Sequence, residues 1–152
     1  MKHKLIFLGK TKDGFIAEGV RKYLGRLRHY TDLSLITVKE KKSAGQDNRD
    51  IEGEQLLGAV PEGWLTIALD PGGRQYSSEG FAEVISGWEQ QGVKGGCYLI
   101  GGPTGLAEKV LKVADLRLSL SKMTFTHEMA RLLLLEQIYR AYTIKGGERY
   151  HK

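Results

Sequence analysis

Short apolar runs alternate with stretches of helical spacing along the whole chain, and this alternation constrains the fold more than any other feature. The apolar runs predict strands over 4–8, 33–38, 64–69, 97–100 and 116–120. Apolar residues at helical spacing predict helices over 13–29, 50–59, 77–91, 106–114 and 127–142, with a polar connection at 40–50. Strands joined by single helices predict an α/β fold, a mostly parallel sheet with helices on both faces, in one domain over 1–152.

The segments that follow three of the strands are rich in glycine, proline and small polar residues. They are 70–73 (DPGG), 101–103 (GGP) and 121–123 (SKM). Ligands of parallel sheets bind beyond the carboxyl ends of the strands, and glycine lets the backbone approach a ligand closely. The pattern therefore predicts a ligand site at this edge. It leaves open a phosphate at a helix start, an adenosine between loops, or a tight turn without a ligand.

Charge is unevenly distributed around the total of +5. Residues 1–42 carry a net +7, residues 43–115 a net −6 and residues 116–152 a net +4. Two basic ends are typical of a chain that contacts a polyanion, although basic helices that only keep a protein in solution have the same charge.

Several classes of function are excluded by what the sequence lacks. A single cysteine, Cys97, cannot form an intrachain disulfide, which suits a reducing cytoplasm. The histidines at 3, 29, 127 and 151 lack the spacing of metal ligands, so no metal site is expected. Residues 9–11 (GKT) lack the first glycine of a P-loop, and 119–122 (SLSK) lack the companion motifs of penicillin-binding enzymes.

The last predicted helix is apolar on nearly all sides, with four consecutive leucines at 132–135. Glu136, Gln137 and Arg140 interrupt it, so it does not read as a membrane span. A helix that is apolar all round must be buried all round, which in so small a domain favours packing against a second copy of the chain.

Four ordered motifs make the resemblance to a known family specific. They are 99–106 (LIGGPTGL), 118–125 (LSLSKMTF), 136–141 (EQIYRA) and the terminal 150–152 (YHK), together with His127 and Arg131. Residues 8–10 (LGK) and 52–55 (EGEQ) match as well. Over essentially its whole length the chain resembles the SPOUT-class methyltransferases that modify N3 of a pseudouridine in large-subunit ribosomal RNA.

The resemblance implies a sheet whose C-terminal part is tied in a deep trefoil knot. It also implies a homodimer, S-adenosylmethionine as methyl donor, and helix 69 of 23S rRNA in the assembled ribosome as substrate. The cofactor pocket maps onto Leu69, Gly101, Gly102, Leu120, Ser121, Lys122, Met123, Thr124 and Phe125. Thr104 departs from family members that carry an acidic or amide residue there.

Transfer of a methyl group to N3 of a pseudouridine requires that the imide proton leave, which calls for a general base or stabilisation of the imide anion. His151 and Arg140 are the candidates, with Tyr150 positioning the base. The base is His151 or a water that it orients, and the short tail completes the site of its own chain or of a partner.

Basic residues near both ends are the candidates for contacts with RNA phosphates: Arg21, Lys22, Arg26, Arg28, Lys145, Arg149 and Lys152. Two rival functions remain. A ribosome-binding module with the same fold would bind RNA without S-adenosylmethionine, and a small-molecule or protein methyltransferase would turn over without ribosomes.

Overall fold

The computed structural model describes residues 1–41 and 47–151, with side chains as far as Tyr150. Part of the predicted connection at 40–50 therefore lies outside the described residues. The strands are β1 (Lys2–Leu8), β2 (Leu33–Val38), β3 (Leu65–Arg74), β4 (Gly95–Ile100) and β5 (Leu116–Leu118). The helices are α1 (Gly14–Leu27), α2 (Arg49–Gly58), α3 (Ser78–Gln90), α4 (Glu108–Val113) and α5 (His127–Lys145), before a 3-10 turn at Arg149–His151.

The strands form one sheet in the order β2-β1-β4-β3-β5, and every neighbouring pair is parallel. The predicted α/β class is confirmed. All strands therefore end at one edge, called here the carboxyl edge, and begin at the other, called the amino edge. The deep trefoil knot that the resemblance implies stays a prediction.

Alternate residues of each strand face two separate cores. On one face Leu5, Phe7 and Tyr98 pack with α1, α3 and α5. On the other, Ile6 and Leu99 pack with α2 and α4. Helices thus cover both faces, and β4, the middle strand, is buried along its whole length, which explains its nearly unbroken apolar sequence.

The predicted end of the third strand is wrong. The sequence pattern ends that strand at the DPGG segment, whereas β3 continues through it to Arg74. Leu69 and Arg74 both pair with Leu118, so the residues between them form a bulge. A Cβ on Gly73 would lie 2.6 Å from the backbone of Arg117, which explains why glycine occupies the bulge.

The apolar surface of helix α5 is covered by residues of the same chain. Leu134, Leu135, Ile138, Ala141 and Tyr142 are buried, and no apolar residue of this helix falls among the exposed ones. It packs against α1, α3 and the sheet, so its all-round apolar character does not by itself require a second copy. The homodimer stays a prediction. None of the described helices is long and apolar enough to cross a membrane.

Candidate cofactor cavity and tail cluster

A cavity of about 1200 Å³ lies at the carboxyl edge. Segments far apart in sequence enclose it: the ends of β3 and β4, the turn before α4, the connection from β5 to α5, and the first residues of α1 and α5. It forms because these parallel strands end at one edge, where their connections surround a common space.

The glycine turn after β4, residues 101–105, requires glycine at its first and last positions. A Cβ on Gly101 would lie 2.6 Å from the carbonyl carbon and oxygen of Gly105. Gly105 has a φ of +81°, a conformation that favours glycine, and its N–H donates to Gly102 O at 3.0 Å. The turn folds back on itself as a cradle, and its residues line the cavity.

The segment from β5 to α5 forms the opposite wall and is organised by its serines. Ser119 Oγ donates to Ser121 O at 3.0 Å, and Ser121 Oγ accepts from Met123 N at 3.0 Å. Met123 is 76% exposed and Phe125 39%. Large apolar side chains left open beside a cavity indicate a surface that a ligand or partner covers.

Eight of the nine predicted cofactor residues line this cavity, namely Leu69, Gly101, Gly102, Leu120, Ser121, Met123, Thr124 and Phe125. Lys122 is exposed on the same segment and is not among the lining residues. Thr104, the position that departs from the family pattern, also lines the cavity.

Sequence reasoning singled out His127 but missed the rest of the wall, which is formed by Asp13 and Ile16 of the α1 start and by Glu128 and Ala130 of the α5 start. The sequence could have predicted that the loop after β1 lines the cavity, because β1 also ends at the carboxyl edge. The contribution of α5 follows only from how the helix packs.

Among the described residues that line the cavity, carboxylates outnumber cations. The acidic lining residues are Asp13, Asp47, Asp50, Asp70, Glu108 and Glu128, against one arginine, Arg49. Arg117 pairs with Asp70 at 2.6 Å, and Arg49 pairs with Asp47 at 2.6 Å, which lowers the pKa of the Asp47 carboxyl. The remaining rim carries net negative charge.

The end of the chain packs in a second place, the tail cluster, which consists of Tyr23, Arg26, Glu136, Tyr139, Arg140 and Tyr150. The Tyr150 hydroxyl lies 2.9 Å from the Tyr23 hydroxyl and 3.3 Å from Glu136 Oε1. Burial, the Tyr23 hydrogen bond and the Glu136 charge raise the pKa of Tyr150 above its usual value. Tyr150 therefore stays protonated at neutral pH.

Arg140 is held by the same carboxylate. It donates to Glu136 Oε1 at 2.7 Å, which raises the pKa of Arg140, and its guanidinium lies 4.9 Å from the centre of the Tyr150 ring. The structure thus brings Arg140 and Tyr150 together, as predicted for residues of one site. The side chain of His151, and all of Lys152, lie outside the described residues.

The tail cluster and the cavity do not meet within one chain. Neither Arg140 nor Tyr150 lines the cavity, although His127 at the start of α5 does. Arg140 lies thirteen positions after His127 along α5, which corresponds to about 20 Å at 1.5 Å per residue.

The predicted RNA-binding residues occupy different environments. Arg21, Lys22, Arg28 and Arg149 are exposed. Arg26 is half-buried, with its guanidinium 5.4 Å, 5.5 Å and 5.9 Å from the rings of Tyr23, Tyr139 and Tyr150. Lys145 pairs with Glu89. Among the described residues, no group of histidine, cysteine or acidic side chains is arranged to hold a metal ion.

Comparison with known proteins extends over the whole chain. The profile of the family described as "Predicted SPOUT methyltransferase" matches residues 1–151. A ribosomal RNA large subunit methyltransferase H from Desulfotalea psychrophila is 57% identical, and the match covers 100% of both chains. Another, from Halothermothrix orenii, is 42% identical with the same coverage.

Solved structures show the same fold at low identity. A probable methylase family protein from Haemophilus influenzae superposes with a TM-score of 0.57 at 14% identity, over 99% of this chain and 70% of that one. A putative methyltransferase from Legionella pneumophila, solved with the bound cofactor SAM, has a TM-score of 0.51 at 14% identity, over 93% and 66%.

Because the family profile matches residues 1–151, the protein is a SPOUT methyltransferase. The expected cofactor, S-adenosylmethionine, agrees with this class. The chain is 57% and 42% identical to these two relatives over its whole length, so it belongs to the ribosomal RNA large subunit methyltransferase H family.

Proposed function

We propose that the protein methylates N3 of a pseudouridine in helix 69 of 23S rRNA, on assembled ribosomes in the cytoplasm. The observation that carries the proposal is the cavity at the carboxyl edge, whose glycine turn and serine-ordered wall consist of two of the motifs that carry the resemblance to the family. Full-length identity to proteins named for methylation of large-subunit rRNA supports the choice of substrate.

The cavity residues fit the cofactor. Leu69 and Leu120 are half-buried apolar side chains on its wall, suited to hold a flat adenine between them. Backbone groups of Gly101 and of residues 120–125 suit the polar edges of the ring. When bound, S-adenosylmethionine supplies an electrophilic methyl group on a sulfonium.

The tail cluster suits the other half of the chemistry. Arg140 carries the positive charge needed near a developing imide anion, and general acid–base groups contribute about 10²–10⁴-fold to such reactions. Because Tyr150 stays protonated, it serves as a hydrogen-bond donor that orients, and the base is His151 or a water held by His151. A neutral histidine accepts a proton near physiological pH.

The separation of about 20 Å along α5 favours a site shared between two chains. In this arrangement the tail cluster of one chain serves the cavity of its partner in a homodimer. A closed two-fold dimer would then contain two such sites.

A mixing experiment tests the shared site. Gly101→Ala disables the cavity, and Arg140→Ala combined with Tyr150→Phe disables the tail cluster. Each variant alone should be inactive. A refolded equimolar mixture should recover about a quarter of wild-type activity, because half the dimers are mixed and each contains one complete site. No recovery would show that each chain completes its own site.

The function itself is tested with labelled S-adenosylmethionine and ribosomes that lack the modification. Label should appear at one pseudouridine of helix 69. Ribosome binding that is independent of S-adenosylmethionine, with no transfer, would identify a binding module instead. Transfer to a protein or small molecule without ribosomes would identify a different methyltransferase.

A further inference from the structure

The loop between β1 and α1 is tied to α5 from two sides; residues 9–13 are called here the anchored loop. Arg131 is 1% exposed, and its guanidinium donates to Leu8 O at 2.6 Å and to Thr11 Oγ1 at 3.0 Å. Glu128, one turn earlier on α5, accepts from the backbone N–H groups of Lys12 and Asp13.

Arg131 is an unusual residue to bury. Its guanidinium lies 4.0 Å from the centre of the Phe7 ring, and among the described residues its Nε has no hydrogen-bond partner. An unpaired buried donor costs stability, whereas an apolar side chain would fill the same space without that cost. Holding the loop explains why an arginine is found there.

The anchored loop adjoins the cavity, because Asp13 at its end and Glu128, which holds it, both line the cavity. Its two lysines, Lys10 and Lys12, are exposed. Within the described part of the chain, neither ammonium group makes an ion pair or a hydrogen bond. Two free cations are thus held at the edge of a cavity whose own rim carries net negative charge.

We propose that Lys10 and Lys12 bind RNA phosphates beside the target nucleotide, and that Arg131 and Glu128 are positioning residues that hold the loop for this contact. The proposal rests on the function proposed above. RNA that delivers a base to the cavity brings its phosphates toward a rim of carboxylates, which repel them. Cations on a fixed loop offset that repulsion, and a loop ordered in advance loses less entropy on binding.

The salt dependence of ribosome binding tests whether Lys10 and Lys12 bind RNA phosphates. The probe is purified 70S ribosomes lacking the modification, titrated at fixed magnesium and varied potassium chloride. Lys10→Ala with Lys12→Ala should weaken binding about tenfold and reduce the slope of log Kd against log salt by about 1.4–1.8, since each phosphate contact contributes about 0.7–0.9. Lys94→Ala is the matched control, an exposed lysine at the amino edge.

Two further variants test the anchoring. Thr11→Val removes one partner of Arg131, and Arg131→Met removes the anchor; both retain Lys10 and Lys12. Each should weaken ribosome binding, Arg131→Met more, while the affinity for S-adenosylmethionine alone changes less than about twofold. Arg131→Lys should restore part of the ribosome affinity through Leu8 O. Thermal unfolding of each variant shows whether enough folded protein is present for the comparison.

The outcomes separate this inference from the proposed function. Equal slopes for the double lysine variant and Lys94→Ala would overturn the inference. A matching loss of affinity for S-adenosylmethionine would also overturn it and would assign the lysines to the cofactor carboxylate. Wild-type protein that binds ribosomes with the full slope but transfers no methyl group would refute the proposed function and leave the loop's role standing.

Discussion

The two edges of the sheet are formed by opposite ends of the same strands, but their polar groups are arranged differently. At the carboxyl edge, loops surround an open cavity and leave Met123 and Phe125 exposed. At the amino edge, polar side chains are closed into a buried network. His3, 1% exposed, lies with Nε2 2.8 Å from the Tyr142 hydroxyl and Nδ1 3.2 Å from the Tyr98 hydroxyl.

The amino-edge network determines the protonation of His3. Tyr142 donates its only hydroxyl proton to Glu89 Oε1 at 2.9 Å, so it accepts from His3 Nε2. Nδ1 is then free to accept from Tyr98, and the ring is neutral. Burial and the nearby N-terminal ammonium lower the pKa of His3 to about 3.

The contrast teaches where each kind of polar group is placed. At the amino edge, tyrosine and histidine partner one another and stabilise the sheet. At the carboxyl edge, the residues of the glycine turn line an open cavity. Changes at the amino edge should therefore alter stability, and changes at the carboxyl edge should alter binding.

The largest expected effect is at the glycine turn. Gly101→Ala should raise the Kd for S-adenosylmethionine by more than about 100-fold, because core overpacking costs about 1–3 kcal/mol and here the backbone itself must move. Gly58→Ala is the control, since Gly58 does not line the cavity and its Cβ would meet nothing within 4 Å. Calorimetric titration measures both. Equal affinities in the two variants would contradict a cofactor cradle at Gly101.

The second largest effect is expected from acid, which should destabilise the amino edge. Below pH 6.5 the unfolded chain protonates His3, whereas the folded chain does so only near pH 3, so the contribution of His3 to stability is lost as pH falls through this window. The loss is about 1 kcal/mol per pH unit. His3→Gln should flatten the pH dependence of the free energy of unfolding between pH 6.5 and 4.5. Urea denaturation at several pH values in this range measures that free energy. An unchanged slope would mean that His3 titrates normally.

A smaller loss of stability is expected from Gly95, at the start of β4. A Cβ there would lie 2.4 Å from the Trp64 ring, so Gly95→Ala should cost about 1–3 kcal/mol with cofactor affinity unchanged. Gly87→Ala, in α3 with open space around its Cβ, should instead stabilise by about 0.5–1 kcal/mol. Weakened cofactor binding in Gly95→Ala would show that the two edges are coupled.

The smallest effect belongs to the serine-ordered wall. Ser121→Ala removes the acceptor for Met123 N and should weaken binding of S-adenosylmethionine about threefold, because one such hydrogen bond contributes about 0.5–1.5 kcal/mol. Ser34→Ala, at an exposed position of the edge strand β2, should change nothing. A loss of stability in Ser121→Ala without a change in affinity would assign the serine to the fold alone.

Local pattern explains which predictions succeeded. The strands and helices followed from spacing that a few adjacent residues display, and the glycine turn followed from its place after a buried strand. The end of β3 did not, because the bulge at Gly73 exists only where Arg117 approaches it. The ligand of the glycine turn came from resemblance, since glycine content alone fits several ligands.

The sequence by itself determined the alternation of strands and helices and two segments of the cavity wall, the glycine turn and the connection from β5 to α5, because hydrophobic periodicity and backbone freedom are local properties. Tertiary structure decided what those segments meet. It placed β1 beside β4, held the anchored loop with Arg131, and set Tyr23 against Tyr150 at a distance from the cavity. These contacts join residues far apart in the chain, and only packing of the whole sheet and its helices brings them together.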